Sequence, residues 1–134
     1  MGKRYSIVLI EDNEGDALLV DEMLKDTGLE HDLSWFLDGP SAERYFSEGG
    51  DADLILVDLH LPGTRAQELI SALRRHGVGA RTAIAAFTGS TSPEDIERAR
   101  EAGMERYLIK PMGLEEMEET SMVLRQMLQQ ESGS

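Results

Sequence analysis

Leu54-Ile55-Leu56-Val57-Asp58-Leu59-His60-Leu61-Pro62-Gly63 is the stretch whose reading decides the fold. Four consecutive apolar residues, two of them β-branched, read as a short strand buried on both faces. The run then delivers an acid, Asp58, and breaks at Pro62-Gly63. A carboxylate at the exit of a buried strand is either a turn-former or a functional group on a rigid support, and this stretch alone favours the turn. Three other apolar runs also end in polar residues of fitting chemistry, and these tip the balance.

Working outward toward the N-terminus, Tyr5 to Ile10 is an apolar, β-branched strand closed by Glu11-Asp12-Asn13. Gly15 to Lys25 carries Ala17, Val20, Met23 and Leu24 at a helical period, with Gly28 as its stop. Leu33 to Leu37 is a weaker strand ended by Asp38-Gly39-Pro40. Ser41 to Ser47 is a short helix with Ala42, Tyr45 and Phe46 inward.

Toward the C-terminus, Thr64 to His76 sets Ala66, Leu69, Ile70 and Leu73 on one helical face. Thr82 to Phe87 is a fourth strand leading to Thr88-Gly89-Ser90. Ser92-Pro93-Glu94-Asp95 opens a helix, with Ser92 as its cap and acids favoured by the dipole, and Gly103 ends it. Tyr107 to Ile109 is a fifth strand running into Lys110-Pro111. Leu114 to Gln130 is a last amphipathic helix, and 131–134 is expected to be a tail.

Five strands alternating with five helices on short connections predict an α/β fold, an open parallel sheet covered on both faces. With right-handed crossovers, the flavodoxin-like doubly wound (βα)5 order 2-1-3-4-5 is the expected topology. The strands' C-terminal ends then share one edge, where Glu11-Asp12, Asp58, Thr88 and Lys110 sit. Ligands of such sheets bind outside that edge, at the switch between strands one and three. Converging carboxylates repel and raise one another's pKa. A hard divalent cation relieves this, and oxygen-only ligands favour magnesium. Lys110 and Thr88 add a positive charge and a donor suited to the oxygens of a phosphoryl group in transfer. An Asp carboxylate can itself be the nucleophile, and Asp58 sits centrally among these groups.

At 134 residues the chain is the size of one domain, core about 6–128. It has no cysteine, which excludes disulfides and thiolate metal sites. Its net charge of −13 argues against nucleic acid and against an anionic membrane surface as partners. No apolar run approaches the ~20 residues of a spanning helix. The expected location is the cytoplasm.

In these residues the chain resembles the receiver domains of two-component response regulators (CheY-like). The resemblance is carried by Ile7-Val8-Leu9-Ile10-Glu11-Asp12-Asn13, by Leu56 to Gly63, by Phe87-Thr88-Gly89, and by Ala102 to Pro111. It covers about Ser6 to Leu128. It implies that Asp58 accepts phosphate from a phosphohistidine on a sensor histidine kinase or phosphotransfer protein. Mg²⁺ would be held by Asp12, Asp58 and the backbone carbonyl of His60, with Glu11 acting through water. Lys110 and Thr88 would contact the phosphoryl oxygens, and Tyr107 would turn inward as Thr88 shifts. A cis Lys110-Pro111 bond is implied as well. The switched surface would be the face of helix four, strand five and helix five, binding a partner or a second copy. Self-phosphorylation and slow autodephosphorylation are the only chemistry implied. Glu in place of Asp at position 11 departs from the commonest pattern, and Asp16 after Glu11-Asp12-Asn13 resembles stand-alone regulators paired with phytochrome-type kinases.

Plainer readings stay open on the residues alone. Glu11-Asp12 fits a capping cluster, Thr88 a strand-end cap, Lys110 a solvated side chain, Tyr107 ordinary packing and Trp35 an outer-strand packer. His31, His60 and His76 lack metal-ligand spacing. Two other functions share the pattern: a phosphohydrolase working through an aspartyl-phosphate, which usually has a second acid where His60 stands, and a pseudo-receiver that never sees phosphate. A flavin site would need a phosphate-cradling loop after the first strand, which here is acidic.

Overall fold

The computed structural model describes residues 2–133, with side chains described as far as residue 130. Five strands, β1 (Tyr5–Ile10), β2 (His31–Phe36), β3 (Leu54–Val57), β4 (Ala83–Thr88) and β5 (Arg106–Ile109), alternate with five helices. These are α1 (Glu14–Asp26), α2 (Gly39–Ser47), α3 (Ala66–Arg75), α4 (Pro93–Glu101) and α5 (Leu114–Gly133). All strand pairs are parallel and the sheet order is β2-β1-β3-β4-β5, as the alternation predicts.

The period of two within each strand divides the core in two. Ile7, Leu9, Leu54, Leu56, Ala85, Phe87 and Leu108 point to one face, where Val20, Met23 and Leu24 of α1 and Leu124 and Leu128 of α5 cover them. Val8, Ile10, Ile55, Val57, Ile84 and Ala86 point to the other, against Phe46 of α2, Leu69, Ile70 and Leu73 of α3, and Ala99 of α4. Because β3 and β4 are buried on both faces, they read as unbroken apolar runs. Each fully buried Leu or Ile in them contributes roughly 1.5–3 kcal/mol from removal of apolar surface from water. That rigidity is what the adjoining edge residues stand on.

Several boundaries move, each for a local reason. Helix α1 starts one residue early because Asn13 caps it, its side chain accepting from the Asp16 amide at 2.9 Å. Helix α2 starts at Gly39 because Asp38 accepts from the Ser41 amide at 2.9 Å. Strand β2 begins at His31 rather than Leu33, since pairing with Tyr5 of β1 recruits residues whose edge position leaves them polar. Ser92 holds the N-cap position of α4 but makes no side-chain capping bond. Its amide instead donates to Ser90 Oγ at 3.1 Å. Helix α5 runs on through 131–133, which the sequence reading gave to a tail, and Ser134 lies outside the described residues. The Lys110–Pro111 bond is trans, not cis as the resemblance implied, in keeping with the lower energy of that isomer.

Candidate functional site

Strand register alone brings the acids together. Ile10 pairs with Val57, so Glu11 and Asp58 leave the sheet side by side, and the Asp58 amide donates to the Ile10 carbonyl at 3.0 Å. Asp58 does form the turn that its sequence position favours: its Oδ1 accepts from the His60 amide at 3.0 Å. That bond uses one carboxylate oxygen and fixes the other, Oδ2, toward Lys110 at 3.5 Å.

Lys110 follows β5, held by its amide to the Thr88 carbonyl at 2.8 Å. Far from being solvated, its side chain is only 18% exposed and its ammonium lies 2.7 Å from Asp16, 3.0 Å from Glu11 and 3.5 Å from Asp58. Burial pulls its pKa down, but these three carboxylates together carry it up to about 12. Glu11 is fully buried. Its Oε2 accepts from the Asn13 amide at 3.1 Å. Burial pushes its pKa up to about 7, Lys110 and the Asn13 amide pull it down, and Asp58 adds a smaller upward push. The site thus holds more acid than one lysine neutralises.

Glu11, Asp12 and Asp58 each offer a carboxylate oxygen, and these oxygens all lie within 4.8 Å of one another. Asp12 is exposed while its two neighbours are buried, so the cluster opens to solvent on one side. Glu11 Oε1 is buried and, apart from its ion pair with Lys110, accepts no hydrogen bond. An oxygen-only donor set with an underused buried oxygen fits a hard divalent cation.

The fourth edge residue, Thr88, is fully buried at the end of β4. Its Oγ1 accepts from the Ser90 amide at 3.2 Å, which leaves the hydroxyl proton able to donate elsewhere. Tyr107 of β5 is half-buried against the α2, α3 and α4 side of the core, its hydroxyl donating to the Ser90 carbonyl at 2.9 Å. Burial pushes that phenol's pKa up, against the opposing pull of the Ser90 contact. His60 lies on the mouth of the site, its ring 60% exposed and Nε2 3.4 Å from Asp95 Oδ2.

Three further residues belong to this assembly. Asp16, noted in the sequence only as part of a pattern, holds the Lys110 ammonium; its position one turn into α1, capped by Asn13, was the available signal. Trp35 is not merely packing: its indole N–H donates to the Glu11 carbonyl at 2.7 Å. Pairing of Leu9 with Trp35 puts the ring within reach, which becomes evident only once β2 is placed beside β1. Asp95, read as a first-turn acid of α4, receives the Ser90 hydroxyl at 2.6 Å.

Comparison with known proteins gives a consistent result. The family pattern of the response regulator receiver domain matches residues 7–121. The chain is 32% identical over 121 residues to the probable methanogenesis regulatory protein FilR2 of Methanothrix harundinacea (strain 6Ac), covering 87% of this chain and 78% of that one. It is 28% identical over 117 residues to the response regulator Rcp1 of Synechocystis sp., covering 83% and 80%. The Mn²⁺-bound crystal structure of Rcp1 superposes with a TM-score of 0.72 at 26% identity, over 90% of this chain and 91% of that one. The receiver domain of sensor histidine kinase PA1611 from Pseudomonas aeruginosa PAO1, crystallised with a magnesium ion in its active site cleft, gives 0.76 at 30% identity over 98% and 100%.

Proposed function

The chain belongs to the response regulator receiver domain family, and from that premise we propose that Asp58 is the residue that carries the phosphoryl group. The single observation supporting this most is the convergence of the Glu11, Asp12 and Asp58 carboxylates and the Lys110 ammonium at the ends of β1, β3 and β5, with Lys110 Nζ 3.5 Å from Asp58 Oδ2. Asp58 Oδ2 attacks phosphorus, the P–N bond of a phosphohistidine breaks, and the imidazole leaves with the bonding pair. Lys110 meets the charge developing on the phosphoryl oxygens, and the Thr88 hydroxyl donates to one of them.

The negative charge that one shared Lys110 ammonium leaves uncompensated fits Mg²⁺, which Asp12, Asp58 and the His60 carbonyl would hold directly and Glu11 through water. When bound, the ion neutralises these carboxylates and draws negative charge from the transferring group. The donor is a sensor histidine kinase or a phosphotransfer protein, and the setting is cytoplasmic, in keeping with a described structure in which no helix is long and apolar enough to cross a membrane. Asp58 then releases phosphate slowly by self-hydrolysis rather than turning over small phosphoesters.

Phosphorylation adds charge and acceptor oxygens that Thr88 and Lys110 engage, and Tyr107 passes the change to the α4-β5-α5 face. That face binds a partner or a second copy of the chain. Sedimentation with and without a phosphoryl mimic tests the second-copy form, and a single monomeric species in both states counts against it. The central test is incubation with acetyl phosphate and Mg²⁺ followed by intact mass. The expected result is one added phosphate, absent in Asp58→Asn and absent without Mg²⁺. Repeated turnover of an aryl phosphate would instead favour a hydrolase, and no adduct under any condition a phosphate-independent module.

A further inference from the structure

Every polar group of Ser90 is committed. Its amide donates to Thr88 Oγ1 at 3.2 Å, and its carbonyl receives the Tyr107 hydroxyl at 2.9 Å. Its own hydroxyl donates to Asp95 Oδ2 at 2.6 Å while accepting the Ser92 amide at 3.1 Å. One residue in the β4–α4 loop therefore touches both switch side chains and the start of α4. Asp95 is what holds it. The bond from Ser90 keeps the Asp95 carboxyl below its usual range, with the nearby His60 and Arg98 adding to that effect, so the anion is the resident form at neutral pH. The same oxygen that receives Ser90 lies 3.4 Å from the His60 ring, and Oδ1 receives Arg98 at 3.1 Å, so Asp95 also ties the loop after β3 to the loop after β4.

We propose that Asp95 is a positioning residue which, through Ser90, holds Thr88 and Tyr107 in the arrangement that a phosphoryl group on Asp58 requires. By sequence alone Asp95 is only an acid in the first turn of α4. The inference rests on the phosphoacceptor role of Asp58 given above. Its physical content is a population argument. A two-state loop binds a ligand more tightly the larger the fraction already in the competent state. The Asp95 bonds already order the loop that presents Thr88 before any phosphoryl group arrives, so removing them returns the ordering cost to the binding step. The residue touches none of the reacting atoms, and it acts only through Ser90 and His60.

The test uses Mg²⁺ with beryllofluoride, a non-hydrolysable stand-in for the phosphoryl group, on the full chain. Three proteins are compared: wild type, Asp95→Asn and Asp95→Ala. Asn keeps an acceptor for the Ser90 hydroxyl and should bind beryllofluoride within about twofold of wild type, whereas Ala should weaken it by roughly fivefold or more, the lower range of coupling between sites. Affinity for Mg²⁺ alone should stay within about twofold of wild type in both, because Asp95 meets the exposed ring of His60 and not its carbonyl, and has no bond to Glu11, Asp12 or Asp58, and the Tyr107 ring signals in NMR should move in Ala but not in Asn. Ala binding beryllofluoride as tightly as wild type, or an equal loss of Mg²⁺ affinity alone, overturns the proposal. Wild type that binds Mg²⁺ but no beryllofluoride overturns the phosphoacceptor reading itself and this inference with it.

Discussion

Lys110 and Asp58 stand 3.5 Å apart across the C-terminal edge of the sheet, although 52 residues separate them in the chain. Lys110 is also the cation that Glu11 and Asp16 share. Lys110→Met keeps the length of the side chain and removes the charge, leaving three acids without it. The expected cost is of the order of 3 kcal/mol, at the low end for a broken buried pair because the ammonium retains some exposure. In thermal unfolding without metal this is a fall of about 10 °C, from roughly 3 °C per kcal/mol at this chain length. Mg²⁺ should bind the variant more tightly than wild type, since a competing positive charge is gone, while labelling by acetyl phosphate slows by tenfold or more. Titration calorimetry and intact mass read the two effects separately. Weaker Mg²⁺ binding in Lys110→Met would contradict this account of the site's charge balance.

Metal addition gives a second measure of the same balance. A ligand that binds only the folded state at 100 times its dissociation constant stabilises by about 2.7 kcal/mol. Excess Mg²⁺ should therefore raise the melting temperature by about 8 °C. Asp12→Asn tests the assignment cleanly: Asp12 is exposed, so its substitution should change the metal-free melting temperature by no more than a degree or two. The rise on adding Mg²⁺ should nonetheless be lost. An undiminished rise in Asp12→Asn would remove that residue from the ligand set.

What the sequence made legible divides along physical lines. The layering, the strand order and the convergence of Glu11, Asp12, Asp58, Thr88 and Lys110 follow from two features readable without coordinates. One is the doubly buried runs at Leu54–Val57 and Ala83–Thr88, and the other is the rule that parallel strands end on one edge. Asp16, Trp35 and Asp95 were less legible because their partners are set by three-dimensional offsets. Trp35 reaches the Glu11 carbonyl only through the β1–β2 register, and Asp95 meets His60 only once α4 has been docked, while its bond to Ser90, five residues back, depends on the path of the β4–α4 loop. The Ser92 cap failed for a related reason. A serine at an N-cap is a sound local expectation, but here Ser90 takes over the contacts at this helix start, its hydroxyl accepting from the Ser92 amide and donating to the Asp95 carboxylate.

Glu11 makes the stability of the metal-free chain depend on pH. Its carboxyl rises from the ordinary 4.5 to about 7 in the folded, metal-free chain, chiefly through burial. Between those values the folded state keeps a proton that the unfolded state has released, so this residue's contribution to stability declines as pH rises from 4.5 to 7 and is level above that. Glu11→Gln removes the titration. In chelator, urea midpoints of the variant relative to wild type should climb between pH 5 and pH 7.5. In wild type, Mg²⁺ affinity should increase through the same interval because the ion competes with that proton. Parallel midpoints across the interval would show that Glu11 is ionised throughout.

Trp35 supplies a reporter for these experiments. It is the only tryptophan, is 38% exposed, and donates from Nε1 to the backbone carbonyl of Glu11 at 2.7 Å. A charge arriving beside Glu11 changes the field along that N–H, so its fluorescence should shift or change in intensity as Mg²⁺ is added, with the same midpoint as calorimetry. In Asp12→Asn the signal should stay flat. Trp35→Phe keeps most of the apolar contact and loses the donor, leaving the Glu11 carbonyl without its side-chain partner. A net cost of about 1 kcal/mol follows from one lost hydrogen bond. Because that bond steadies the backbone carrying both Glu11 and Asp12, Mg²⁺ affinity should fall by a fewfold as well. A variant that loses stability while binding Mg²⁺ exactly as wild type does would make the indole a packing group for β2 alone.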